Sequence, residues 1–229
     1  MSTSDKAQEL TSDAFTELRE AMVETQIRRR GLKDERVLRA MASVPRHEFL
    51  REGLQNRAYE DLPLPIGGGQ TISQPYIVAL MTATLRLDAT KRVLEIGAGC
   101  GYQAAVLSLL SREVHGVECR AELAEAAGQR LQRLGYGNVH IHCCDGSEGL
   151  SEFAPYDAIL VAAAAPAVPP PLLEQLAEGG RMIVPIGTEQ LQELLLVTRH
   201  GGKYSFEQRE SCRFVPLLGR HGWKEWEFL

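Results

Sequence analysis

The chain has 229 residues, 44% of them hydrophobic, and a formal net charge of -5. This length suits one α/β domain with decorations, able to bury its own core without staples, and the acidic balance disfavours a nucleic-acid partner, which demands a basic face. Five cysteines, Cys100, Cys119, Cys143, Cys144 and Cys212, have neither framework nor C-x-x-C spacing, which argues against disulfides and against a metal site.

The first residues, Met1 to Lys6, carry no signal-peptide pattern, and no stretch approaches roughly 18 apolar residues. A cytoplasmic protein with no membrane span is expected. Residues 1 to about 14 are polar and read as frayed. Leu18, Met22 and Ile27 give a first helical stripe, and Val37, Leu38, Met41 and Val44 a second, stopped by Pro45. Arg28-Arg29-Arg30 reads as a solvated helix face. The segment 46–65 reads as irregular, with His47 in a structural role. Gly67-Gly68-Gly69 opens a specially shaped loop before Gln70-Thr71-Ile72-Ser73-Gln74-Pro75. Ser before Gln-Pro is a good helix start, so Ser73 has an N-cap reading as well as a functional one. The buried helix Tyr76 to Thr82 follows.

From Val93 the chain alternates strands and helices. Val93 to Ile96 is a strand, and Gln103 to Leu110 is helix-prone. Val114 to Glu118 is a second strand, and Ala121 to Leu134 a helix closed by Gly135. Val139 to Cys144 is a third strand, with Cys143 and Cys144 read as buried thiols, and Tyr156 to Val161 is a fourth. A proline-rich loop leads to a helix over Pro169 to Ala177, then Gly179-Gly180 and a strand over Arg181 to Pro185. Leu191 to Thr198, Tyr204 to Arg209 and Arg213 to Leu217 read as an antiparallel edge. The rhythm predicts a doubly wound α/β fold: a mostly parallel sheet with an antiparallel edge and an added N-terminal helical segment. The whole chain is expected to form a single domain, with residues 1–75 as helical and loop region, 76–200 as ligand-binding core and 201–229 as closing strands and tail.

The ligand site is expected where the first strand ends, at Glu95-Ile96-Gly97-Ala98-Gly99-Cys100-Gly101-Tyr102. A dinucleotide fingerprint wants a small residue where Tyr102 stands. Glu95 would repel a pyrophosphate and attract a sulfonium or amino group. The turn therefore favours S-adenosylmethionine over NAD. Glu118, 21 residues after Gly97, is placed to accept ribose hydroxyls, at about 1.5–3 kcal/mol per charge-assisted bond. Asp145-Gly146 offers an acceptor to an adenine amino group, and the loop Ala162 to Pro166 completes the crevice.

The chain resembles the protein-L-isoaspartate O-methyltransferases, a Rossmann-like family that uses S-adenosylmethionine. The likeness runs from about residue 20 to about residue 220. It is carried by Gly69 to Pro75, Val93 to Gln103, Cys144-Asp145-Gly146, Tyr156 to Ile159, Arg213 to Leu217, and Arg30 to Leu38 with Val44 to His47. The resemblance implies that Ser73 is the active-site serine and that Gln70, Thr71 and Ile72 line the substrate side. It also implies that Glu118, Cys119, Asp145 and Gly146 hold the adenosyl part and that Val215 presents backbone to the substrate. Cys100 and Cys144 depart from its pattern, at positions where a small hydroxyl residue and a glycine are usual. The reaction it implies is methyl transfer to the free α-carboxylate of L-isoaspartyl residues in age-damaged proteins, opening repair through a succinimide. The rivals are a small-molecule methyltransferase, a non-catalytic adenosyl-binding regulator and, less favoured, a dehydrogenase or a nucleic-acid methyltransferase. The Trp223 to Trp226 tail is left without a role.

Overall fold

The computed structural model describes residues 10–188 and 190–224. The expected fraying of residues 1–9 and the tail beyond Lys224 lie outside the described residues. Helix α1 (Ser12–Met22) starts before the expected boundary, because the Thr11 side chain accepts the Ala14 N–H at 3.3 Å. One loosened turn, Val23–Ile27, and one tight turn, Arg28–Arg30, continue it to Gly31 at φ 100°. The wider turn shifts its buried stripe to Phe15, Met22, Val23 and Ile27, leaving Leu18 38% exposed. The arginine run is exposed, as expected, and is also drawn into ion pairs. Arg28 pairs with Glu24 and Glu35, and Arg30 pairs with Asp61 while lying 3.5 Å over the Tyr76 ring.

Helix α2 (Glu35–Ser43) is capped by Asp34, which accepts the Arg36 N–H at 3.0 Å, and it buries Val37, Leu38 and Met41 as its spacing predicts. Two short helical turns follow, at Arg46–Phe49 and Glu52–Arg57. His47 stacks on Phe15 with ring centroids 3.9 Å apart and shares a 2.8 Å hydrogen bond with the Tyr59 hydroxyl. A small hairpin, β1 (Leu64–Gly67) and β2 (Gln70–Ile72), then leads into helix α3 (Pro75–Leu85).

The remainder is β3 (Arg92–Ile96), α4 (Tyr102–Ser108), β4 (Glu113–Glu118), α5 (Ala121–Arg133), β5 (Val139–Cys143), β6 (Tyr156–Val161), α6 (Pro170–Gln175), β7 (Leu176–Gly187), β8 (Gln192–His200) and β9 (Lys203–Cys212). The main sheet runs β5-β4-β3-β6-β7-β8-β9, parallel as far as β7 and antiparallel beyond it. The chain leaves β3 toward β4 and β5 and returns to place β6 on the other side of β3, so the order reverses between β3 and β6. Such a switch point opens a crevice at the carboxyl ends of the strands. The central strands are buried on both faces and α4 is buried throughout, as a doubly covered parallel sheet requires. Among the described residues no helix is long and apolar enough to cross a membrane.

Three expectations fail for local reasons. The helix over Pro169 to Ala177 stops at Gln175, because Leu176 is already drawn into the sheet opposite Tyr156, and β7 runs through Gly179-Gly180. Cys143 is exposed and Cys144 only half-buried, because β5 is the outer strand on that side and alternate residues face water. Arg213 to Leu217 forms no strand of the sheet. Pro216 cannot donate to a ladder, and the segment instead runs beside Ala164: the Ala164 N–H donates to the Val215 carbonyl and the Leu217 N–H donates to the Ala164 carbonyl, each at 2.8 Å.

Candidate active site

The crevice between β3 and β6 is a cavity walled by the glycine turn, the ends of β3 and β4, Gly146 and the loop at Ala162-Ala163. It is roofed by Gln70 to Ser73 and by Val215 to Leu218. Gly97, Gly99 and Gly101 have φ of 85°, 54° and 88°, a region that L side chains avoid. The N–H groups of Gly97 and Ala98 both donate to the Val117 carbonyl, at 2.8 and 3.0 Å, which ties the turn to β4. A side chain at Gly101 would meet Leu131 at 2.9 Å, so the third glycine lets α5 pack on the turn. Tyr102 is buried, edge-on to Phe49 at 5.4 Å, in the place where a dinucleotide fold wants a small residue.

The two strand-end acids lie in opposite environments. Glu118 is held at both oxygens: Oε2 accepts the Gly99 N–H at 2.9 Å and Oε1 accepts the Arg120 N–H at 3.0 Å. Its remaining lone pairs fit hydroxyl donors. Glu95 is buried, lines the cavity, and has no hydrogen-bond partner on either oxygen among the described residues. Burial, and then the charge of Glu118, raises its carboxyl well above the usual carboxylate range. Two buried, unpartnered carboxyl oxygens facing a cavity fit a cationic amino or sulfonium group. Burial thus favours the neutral carboxyl of Glu95, and a ligand cation beside it would favour the ionised form.

Cys100 and Cys119 both line the cavity. The Cys100 carbonyl accepts from Arg130 at 2.9 Å. Cys119 is exposed, but partial desolvation of its thiol, followed by the neighbouring Glu118, pushes it up, which argues against a nucleophilic role. Gly146 lines the cavity but Asp145 does not. Asp145 Oδ1 accepts the N–H and hydroxyl of Ser147 at 2.8 and 2.7 Å, and Oδ2 accepts the Arg220 N–H at 2.7 Å. Any side chain at Gly146 would lie 2.6 Å from Ile96 Cγ2.

Gln70, Thr71, Ile72 and Ser73 all reach the cavity. The N-cap of α3 is Gln74, without a side-chain cap bond, so the N-cap reading of Ser73 is lost. Val215 lines the cavity, with its carbonyl engaged by Ala164. A second, outer cleft is bounded by Arg30, Tyr76, Glu210 and Arg213, and it shares Thr71, Ser73, Ala162 and Val215 with the first. Ser73 therefore stands where the two meet.

Ile66, Val78, Gln103 and Leu218 also line the site and were not anticipated. Gln103 had a signal: it is a lone amide in an apolar helix, and its Nε2 donates to Thr82 Oγ1 at 2.9 Å. The others are apolar side chains delivered only by the tertiary fold.

A sequence model described as protein-L-isoaspartate(D-aspartate) O-methyltransferase matches residues 17–222. A protein-L-isoaspartate O-methyltransferase of Roseiflexus sp. is 54% identical over 209 residues, which cover 91% of this chain and 95% of the relative. One from Pelobacter propionicus is 53% identical over 207 residues, covering 90% and 92% of the two chains. Among solved structures, a protein-L-isoaspartate O-methyltransferase superposes with a TM-score of 0.81 at 35% identity, covering 89% of this chain and 67% of the other. A Plasmodium falciparum chain described as such an enzyme, solved in complex with S-adenosyl-L-homocysteine, gives a TM-score of 0.76 at 26% identity, covering 87% and 98%.

Proposed function

The chain belongs to the protein-L-isoaspartate(D-aspartate) O-methyltransferase family, and from that membership we propose how its two joined cavities divide the reaction. The protein is a methyltransferase that uses S-adenosylmethionine to esterify the free α-carboxylate of L-isoaspartyl residues in proteins and peptides. The observation that carries the residue assignments is the position of Ser73, shared by the inner cavity and the outer cleft.

The inner cavity fits the cofactor. Glu118 accepts ribose hydroxyls, Glu95 faces the cationic end, and Gly97, Gly99, Cys100, Gly101, Cys119 and Gly146 shape the walls, with Asp145 behind Gly146. When bound, S-adenosylmethionine supplies a methyl group on a sulfonium centre. The outer cleft takes the polypeptide, along Gln70, Thr71, Ile72 and Val215.

Ser73 donates its hydroxyl proton as a hydrogen bond to one oxygen of the incoming α-carboxylate, leaving the other free to attack. That carboxylate, with an intrinsic pKa of about 3.5, is already ionised at neutral pH. No residue has to remove a proton. The work of the chain is positioning, worth about 7–11 kcal/mol when geometry is near ideal. An aspartyl residue displaces its carboxylate by one carbon. Val215 and its neighbours discriminate because Ala164 fixes their backbone, so a misplaced chain finds no matching donors. Residues 1–229 act as one domain on damaged cytoplasmic proteins. The ester then closes to a succinimide away from the site, a step that needs no residue here.

The test is methyl transfer from labelled S-adenosylmethionine to two matched peptides, one with L-isoaspartate and one with L-aspartate at the same position. Base-labile label on the isoaspartyl peptide alone is expected. Equal labelling of both would overturn the discrimination assigned to Val215.

A further inference from the structure

Beyond Tyr76 the outer cleft opens into another surface cleft along the flank of α3. Arg30, Tyr76 and Glu210 line both. Tyr76, Leu80, Ala83 and Thr84 recur at helical spacing, so one face of α3 forms part of its lining. Lys33, Arg86, Arg181 and Arg209 line it as well. Against Arg30 and these four cations stand two acids, Asp34 and Glu210. Asp34 is already committed, since it pairs with Arg36 and caps α2. Arg30 is matched by Asp61, and Arg209 by Glu207. Among the described residues, no ion pair holds Lys33, Arg86 or Arg181.

Like charges crowd together here. Arg181 donates through Nε to the Thr84 carbonyl at 2.8 Å, which ties its guanidinium to α3. Burial, then the charges of Arg86 and Arg209, lowers its pKa from the ordinary arginine value. This positive surface belongs to a chain whose net charge is -5. An acidic ligand is repelled by the body of the protein and drawn to this cleft. The cleft joins the outer one, so the acidic ligand it fits is a stretch of the same polypeptide. From Tyr76 to Thr84, α3 rises about 12 Å at roughly 1.5 Å per residue, a span that an extended chain covers in about four residues. Glu210, at the junction, disfavours an acid placed nearer.

We propose that the cleft of Lys33, Arg86, Arg181 and Arg209 is a docking surface for acidic segments of the damaged polypeptide, about four residues from the isoaspartyl position. The proposal rests on the reading of the outer cleft as the polypeptide site. Among damaged chains, those with acid at that distance bind more tightly. The preference appears in KM and not in kcat, because these side chains reach neither the inner cavity nor Ser73.

The test uses the full chain and isoaspartyl peptides that carry Glu-Glu or Gln-Gln about four residues from the isoaspartyl position, in one series before it and in another after it. At low salt one Glu-Glu peptide should show a KM about five- to tenfold below its Gln-Gln counterpart, the scale of a few solvent-screened ion pairs, with kcat unchanged. The advantage should vanish at about 0.5 M salt. The triple variant Lys33→Gln, Arg86→Gln and Arg209→Gln should abolish it, while KM for the Gln-Gln peptide and kcat stay as in the wild type. If that variant does not fold, Lys33→Gln alone, at an exposed position, should reduce the advantage, and with the salt series it still decides. Ser211 lines the outer cleft and not the basic one, so Ser211→Trp should raise KM for every peptide. A raised KM there, with Glu-Glu and Gln-Gln peptides equal in the wild type, overturns the proposal alone. An unchanged KM in Ser211→Trp overturns the reading of the outer cleft, and this proposal with it. Inhibition by single-stranded RNA, with no difference between the peptides, assigns the cleft to nucleic acid and also overturns the proposal.

Discussion

The floor and the roof of the site are built on different principles. The floor is the sheet end: Glu95 and Ile96 of β3, Glu118 of β4, the glycine turn and Gly146, all packed so closely that an added methyl at Gly101 or Gly146 meets a neighbour at 2.9 Å or less. The roof is the hairpin end Gln70 to Ser73 and the run Val215 to Trp223, held by backbone hydrogen bonds to Ala164, Asp145 and Ser147. The floor fixes one ligand by rigid shape. In the proposed division, Gln70 to Ser73 and Val215 read the substrate with backbone and hydroxyl groups that the core does not need. Mutations in the two regions should therefore separate stability from turnover.

The largest effect should come from the roof. Ser73→Ala removes the hydroxyl at the junction of the cavities and should lower kcat about 100-fold, the scale for losing one donor to the reacting group. Because Ser73 caps no helix, the melting temperature should stay within about 1 °C, as expected of a change with almost no ΔΔG. A melting temperature that falls in step with activity would merge the two regions.

Gly146→Ala should show the reverse. Its Cβ would press on Ile96 at 2.6 Å, an overpacking cost of about 1–3 kcal/mol, read by denaturant unfolding with weakened S-adenosylhomocysteine binding. Gly69→Ala makes the contrast in the hairpin. Nothing lies within 4 Å of its Cβ, but φ is 72°, so only backbone strain of about 1–2 kcal/mol is at stake.

Glu95 sharpens the comparison through pH. Its folded carboxyl titrates above its unfolded value, so the folded state keeps a proton that the unfolded state loses. The contribution of Glu95 to stability is thus fully present below the ordinary glutamate range and is lost as pH rises above about 4.5. Glu95→Gln should flatten that decline and stabilise the chain at neutral pH. Binding a ligand cation needs the ionised form, so wild-type affinity for S-adenosylhomocysteine should tighten with pH and that of Glu95→Gln should not. Parallel pH profiles of wild type and variant would remove Glu95 from the site. At neutral pH that variant's affinity should fall by about tenfold, since a hydrogen-bonding amide remains.

The floor was legible because its chemistry is local in sequence. Apolar runs ending in Glu95, Glu118 and Asp145-Gly146, each at a strand end, follow from strand period and turn residues alone. The roof was legible only by resemblance to the family, since nothing in its own spacing says that Ser73 and Val215 meet. Its geometry went unread where tertiary partners override local preference. Pro216 turned an apparent strand into a loop against Ala164, and Leu176 was claimed by the sheet before its helix could finish. Cys143 looked buried because an apolar run does not reveal which strand is outermost. Asp145 carried the right motif, but its oxygens went to Ser147 and to a turn 75 residues further on.

The run from Val215 to Trp223 also sets the order in which the protein can become active. On the ribosome, N-terminal parts fold first, and the parallel strands β3 to β7 are all synthesised by residue 187. A nascent chain can therefore hold a nearly finished sheet while its site still has no substrate wall. The proposed substrate wall belongs to the last part of the chain to be made, where residues 213–223 reach back to Ala164 and Asp145.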